Sequence, residues 1–119
     1  MRDQITQIHF SPSGTTARIA EELSSALSAN VQTVDLLKSG PTSPMPHDGS
    51  DLVLVAMPVF SGRIPGVCVD SLRKLEGTNT PAVAVVTYGN RDYEDALREL
   101  TDILTEQGFV VVGAAAFVA

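Results

Sequence analysis

The chain has 119 residues, of which 44% are hydrophobic and 18% charged, with a formal net charge of −6. That length holds one domain around one core, the composition is globular and not disordered, and the acidic balance gives a nucleic-acid role little support. The single cysteine excludes an intrachain disulfide and a cysteine-rich metal site, and the sequence carries neither a signal-peptide apolar run in MRDQITQIHF nor an apolar stretch of membrane-spanning length.

In chain order, Ile5 to Phe10 reads as a short strand. Thr16 to Leu27 places Ala17, Ile19, Ala20, Leu23, Ala26 and Leu27 at helical spacing. Val31 to Leu36 is a second strand. Ser39 to Ser50 contains three prolines and reads as a loop without a regular helix. Asp51 to Ala56, DLVLVA, is a near-continuous apolar strand of the kind buried on both faces. Val67 to Leu75 is a helix, and Pro81 to Thr87 is another buried strand. Asp92 to Gln107 is an amphipathic helix with Ala96, Leu97, Leu100, Ile103 and Leu104 on one face, and Gly108 stops it. Phe109 to Val118 is the fifth strand. There is no internal repeat and no low-complexity tract.

Alternating strands and helices predict an α/β domain with a doubly wound, five-stranded parallel sheet of order 2-1-3-4-5. Right-handed crossovers put the first helix on one face and the later connections on the other. The first face then has one helix where it needs two, and the apolar end VVVGAAAFVA has nothing over it. The expectation is a domain truncated before its last helix; the other reading is a homodimer that covers the bare face.

In such sheets ligands bind beyond the carboxyl ends of the strands, beside the point where strand order reverses. The loops after the first, third and fourth strands are therefore the ones to inspect. The first is SPSGTT, Ser11 to Thr16. Ser11, Ser13, Thr15 and Thr16 offer hydroxyls, Gly14 permits close backbone approach, and the helix behind them offers unpaired N–H groups and a favourable dipole end. That set suits a phosphate held by neutral donors. The simpler reading is a helix cap, for which one hydroxyl would suffice. The loop lacks the Gly-Lys-Ser/Thr of a Walker A sequence and the spaced glycines of a dinucleotide fingerprint.

The second loop is MPVFSGRIPG, Met57 to Gly66, in which Met57, Val59, Phe60 and Ile64 look exposed. It is either tucked under the next helix or forms an apolar wall for a flat ring, with Ser61, Gly62 and Arg63 as donors. Arg63 meets either a cofactor's polar edge or a surface carboxylate. The third loop, TYGNRDYEDA from Thr87 to Ala96, holds both tyrosines of the chain, Tyr88 and Tyr93, around a Gly-Asn turn. Its plain reading is packing and capping, with Asp92 as N-cap.

The first loop resembles the phosphate-binding loop of flavodoxins, of the form Ser/Thr-x-Thr-Gly-x-Thr. Here Ser13 stands for the usual Thr and keeps the hydroxyl. The second resembles the P-V-Y/F-x-G-R-x-P stretch of flavodoxin domains fused to ferredoxin modules, carried by Pro58, Val59, Phe60, Gly62, Arg63 and Pro65. The third resembles the Y-G-N-R-x-Y-x-x-A/T-L segment of the same group, carried by Tyr88, Gly89, Asn90, Arg91, Tyr93, Ala96 and Leu97. The match is best to the N-terminal flavodoxin domain of ferredoxin-fused iron–sulfur flavoproteins. The cysteine-rich ferredoxin part of those proteins has no counterpart in this sequence.

The resemblance implies an FMN-binding electron-transfer domain in which the flavin does the redox chemistry. It puts Ser11, Ser13, Gly14, Thr15 and Thr16 on the phosphate, with Phe60 and Tyr88 beside the ring. Pro58, Val59, Ser61, Gly62, Arg63, Thr87, Gly89, Asn90, Arg91 and Tyr93 complete the contacts. Gly89 would let a peptide near the flavin N5 change orientation. The partner it implies is a redox protein or a fused ferredoxin module. The alternative is a flavodoxin-like assembly module that no longer binds FMN, since tryptophan is absent and only Phe60 could replace an indole. No side chain stands out as general acid, base or nucleophile, which favours an electron carrier over a stand-alone enzyme.

Other chemistries fit less well. Cys68 to Arg73 is C-x4-R, one residue short of the phosphatase loop and after the wrong strand, so Cys68 reads as a buried small apolar residue. His9 and His47 have no second ligand at zinc spacing. A receiver domain would need acidic residues at the tips where His9-Phe10 and Met57-Pro58 stand. The lone cysteine fits a cytoplasmic location.

Overall fold

The computed structural model describes residues 5–27, 30–36, 45–47, 52–60, 62–89 and 94–118. Among these residues are seven strands and three helices, in the order β1 (Ile5–His9), α1 (Thr15–Leu27), β2 (Val31–Asp35), β3 (Met45–His47), β4 (Leu52–Pro58), α2 (Gly66–Leu72), β5 (Leu75–Gly77), β6 (Thr80–Tyr88), α3 (Glu94–Glu106) and β7 (Phe109–Val118). The main sheet has the order β2-β1-β4-β6-β7, with every pairing parallel. This is the expected order 2-1-3-4-5, counted over the five strands of that sheet.

The apolar run of β4 explains its central place. Val53, Val55 and Met57 point into the layer formed with α2 and α3, where they meet Ile8, Cys68, Leu72, Val86, Leu100, Ile103 and Leu104. Leu54 and Ala56 point the other way, towards Ile5, Val85 and Ala20 of α1. A strand apolar at every position fits only where both faces are covered. The amphipathic stripe of α3 buries Ala96, Leu100, Ile103 and Leu104 as its spacing predicts. Gly108 ends it at φ 95, and a Cβ there would collide with the carbonyl oxygen of Gly77, so that turn admits only glycine.

Two expectations change. The helix expected from Val67 to Leu75 stops at Leu72; Leu75 instead opens a three-residue strand, β5. The loop expected over Ser39 to Ser50 contains β3, which pairs in parallel with β5. Three residues around Pro46 carry too little pattern to be seen in sequence, and a proline is tolerated in a two-stranded ribbon whose other edge is unpaired. Residues 39–44 and 48–50 lie outside the described part.

On the α1 side of the sheet, α1 is the one helix among the described residues, and β7 is left partly open. Val110 and Val112 are 48% and 60% exposed, and Val112 is the extra residue of a bulge between the pairs Ala82–Val111 and Val83–Gly113. No helix among the described residues is long and apolar enough to cross a membrane.

Candidate functional site

The carboxyl ends of β1, β4 and β6 lie side by side, because β4 separates β1 from β6 in the sheet. The three loops singled out in the sequence therefore start from one edge. At the first, Gly14 takes φ 90 immediately before α1, a conformation that costs a residue with a side chain. Its N–H donates to the Ser11 carbonyl at 3.3 Å, and its own carbonyl accepts from Arg18 N–H at 3.1 Å. The Ser11 hydroxyl oxygen accepts from Ala17 N–H at 3.0 Å. The capping role is thus real for Ser11, but accepting a bond leaves its hydroxyl proton free to donate. The N–H groups of Thr15 and Thr16 find no acceptor among the described residues, as expected in a first helical turn. Ser13 and Gly14 are exposed and Thr15 is half-buried.

Thr16 departs from the expectation of an open ligand. It is buried, and its Oγ1 lies 2.7 Å from Oγ1 of Thr87, which is also buried at the end of β6. Both were expected to touch the cofactor; the structure turns their hydroxyls towards each other. This bond joins positions 71 apart in sequence, so no local pattern announces it.

At the second loop, Phe60 N–H donates to the Arg63 carbonyl at 2.9 Å, and Arg63 N–H donates back to the Phe60 carbonyl at 3.0 Å. This closes a tight turn with Gly62 at φ 79 and leaves Phe60 about half exposed at the tip. Val59 N–H donates to the Thr87 carbonyl at 2.9 Å. The expected apolar wall is smaller than the sequence implied. Met57 and Ile64 are buried in the core and Val59 is half-buried, because the loop tucks under α2 and α3. Pro58 is buried as well.

Of the two partners expected for Arg63, the structure shows the carboxylate. Its Nη2 and Nε donate to Glu99 Oε2 and Oε1 at 2.8 and 3.2 Å, and Ile64 N–H donates to the same Oε1 at 3.2 Å. The forked geometry matches guanidinium to carboxylate, so Arg63 is turned to α3. The bond to Arg63 holds the Glu99 carboxyl below its ordinary value, and the Arg63 guanidinium is raised in turn. Glu99 is a residue that the sequence reading missed. A cleft of about 400 Å³ runs along α3 beside this pair, lined by Arg63, Arg73, Glu99, Asp102 and Glu106 among others. It lies on the flank of α3 and its charges largely pair among themselves, Arg73 with Glu106 for instance.

At the third loop, Tyr88 is half-buried and Gly89 exposed, with no heavy atom within 4 Å of a Cβ built on Gly89. Ser61, Asn90, Arg91, Asp92 and Tyr93 lie outside the described residues. Elsewhere, Cys68 is buried and its thiol is pushed up to about 12 by burial, which makes it the inert core residue expected. His9 is buried at the end of β1, where Gln7 Nε2 donates to its Nδ1 at 3.0 Å and its Nε2 lies 3.7 Å from Asp35 Oδ2.

No family model matches the sequence, and no curated protein matches it. Solved structures do match in fold. A flavodoxin from Streptococcus pneumoniae superposes with a TM-score of 0.73 at 16% identity, over 97% of this chain and 83% of that one. A flavoprotein from Lactobacillus acidophilus, solved in complex with FMN, superposes with a TM-score of 0.67 at 16% identity, over 98% and 93%. The Flv1 flavodiiron core of Synechocystis matches over 98% of this chain and 30% of its own, with a TM-score of 0.71 at 12% identity. Strand order, the placement of helices on the two faces and these superpositions agree: the chain has a flavodoxin-like fold.

Proposed function

We propose that this chain is an FMN-binding electron-transfer domain. One observation carries the reading. The loop rich in hydroxyls, with Gly14 at φ 90 and the first-turn amides of Thr15 and Thr16, which have no acceptor among the described residues, behind it, stands at the strand-order reversal between β1 and β4. A phosphate monoester needs several neutral donors converging on one point, and this loop supplies them. The space beside Gly14 is open, with no heavy atom within 4 Å of a Cβ built there. The donor set therefore fits the phosphate of FMN.

Ser11, Ser13, Thr15 and, where its hydroxyl accepts from Thr87, Thr16 would hold the phosphate with the amides of the first turn. Phe60 offers an exposed aromatic face on one side of the adjoining edge, with Tyr88 and Gly89 at the next strand end. Bound flavin supplies one- or two-electron transfer. The chain's own contribution is to bind, to orient and to set the surrounding charge. A net charge of −6 opposes placing further negative charge on the ring and lowers the potential of its fully reduced form. The electron partner in this reading is a redox protein or an iron–sulfur module of the ferredoxin kind, and the location is cytoplasmic.

A second reading, an assembly module without FMN, draws on the exposed Val110 and Val112 of β7. It would have two copies meet across the open face. The test is a visible spectrum after loading with FMN and desalting. Retained flavin bands that disappear in Thr15→Ala or Gly14→Val support the first reading. A chain that stays colourless and dimerises through β7 supports the second.

A further inference from the structure

We infer that Thr87 is the positioning residue of the site, holding the anion loop in place through Thr16; the inference rests on the FMN reading above. Thr87 lies at the strand end from which the third loop starts. It sits at the end of β6, 3% exposed, yet it is bonded to both of the other loops. Its carbonyl accepts from Val59 N–H at the exit of β4, and its hydroxyl meets that of Thr16 in the first turn of α1 at 2.7 Å. Because β4 lies between β1 and β6, α1 must cross the neighbouring strand end for this bond to form. The bond therefore fixes where the helix start stands relative to the other two loops.

The chemistry of hydroxyls gives the pair a direction. Each hydroxyl has one proton and two acceptor sites. If Thr16 gives its proton to Thr87, none is left for an anion. If Thr87 gives its proton to Thr16, the Thr16 proton stays free to turn towards the loop. A bound phosphate accepts only, so it selects the second arrangement. Thr87 then donates to Thr16, polarises its O–H and fixes its rotamer, without touching the anion itself. In a buried setting such a chain of donors is stronger than its separate links. The backbone bond to Val59 is independent of the side chain, so the side chain of Thr87 acts on the phosphate end of the site alone.

The experiment is a pair of titrations, with FMN and with riboflavin, which lacks the phosphate. They use the wild-type chain, Thr87→Val, Thr87→Ser, Thr16→Val and the double valine variant. Valine keeps the shape of threonine and removes the hydroxyl. Loss of one hydrogen-bonded hydroxyl predicts FMN binding weaker by about three- to tenfold in Thr87→Val. Riboflavin binding should stay within about twofold, and Thr87→Ser should restore FMN affinity. The double variant should bind FMN no worse than Thr16→Val, because Thr87 works through Thr16. Equal weakening for both ligands would make Thr87 a general packing residue and overturn the inference. So would effects that simply multiply in the double variant. A wild-type chain that binds no FMN overturns the functional reading itself, which separates the two failures.

Discussion

Replacing Gly14 and Gly89 separately by alanine isolates what the backbone of the anion loop contributes. A Cβ meets no heavy atom within 4 Å at either position, so neither change creates a clash. The two glycines differ in conformation: Gly14 has φ 90, and Gly89 is not among the positive-φ residues. At Gly14 the left-handed backbone penalises a side chain by about 1–2 kcal/mol. Reduced freedom of the unfolded chain returns about 0.4–1 kcal/mol. The net is a loss of about 0.5–1 kcal/mol for Gly14→Ala. Gly89→Ala meets only the second effect and should be neutral or up to about 1 kcal/mol more stable. Urea unfolding with unchanged slope measures both. In FMN titrations Gly14→Ala should weaken binding by about tenfold or less, since each 1.4 kcal/mol is a factor of ten and strain displaces the donors around it. An alanine at position 14 that leaves both midpoint and affinity unchanged would refute the argument that the positive φ holds the loop in shape.

Leu100→Ala, at a fully buried position of α3, should lower unfolding stability by about 2–5 kcal/mol in the same urea assay, with the flavin site affected only through folding. Cys68, with its thiol pushed up to about 12, should resist alkylation in the native chain at pH 8 and react at the free-thiol rate once unfolded in urea. Glu99 has its carboxyl held below the ordinary value of 4.5 by Arg63, so its contribution is present above that value and is lost as pH falls through the lower folded-state value. Glu99→Gln should flatten the acid limb of the stability curve below about pH 4.5, by a modest amount since Arg63 is largely exposed. Unchanged acid sensitivity in that variant would show that the fork with Arg63 is not what responds to acid.

Most of the sheet was legible because hydrophobic period is a local property. DLVLVA could only be a strand with both faces covered, and the stripe from Ala96 to Leu104 could only be a helix over a sheet. The short β3 and β5 were not legible, since three residues hold too little pattern and β3 is defined by its pairing with a segment 30 residues away. The site was legible in part. The hydroxyl loop and its glycine announced themselves through composition, and the topology placed the loop at the reversal of strand order. The apparent exposure of Met57 and Ile64 misled, because a loop's apolar residues look the same whether they face solvent or tuck under a helix.

The kinds and bounds of the long apolar segments were set by sequence alone, since each follows from spacing within about ten residues, and the order of strands and the place of the hydroxyl loop followed from their alternation through the topology rules of parallel α/β sheets. Which hydroxyl faces which partner was decided only by tertiary structure. Thr16 meets Thr87 because α1 crosses the end of β4 to reach β6, and Arg63 meets Glu99 because the turn after β4 abuts α3. Such contacts depend on how rigid elements pack across long separations in the chain, and the residues themselves carry no local trace of it.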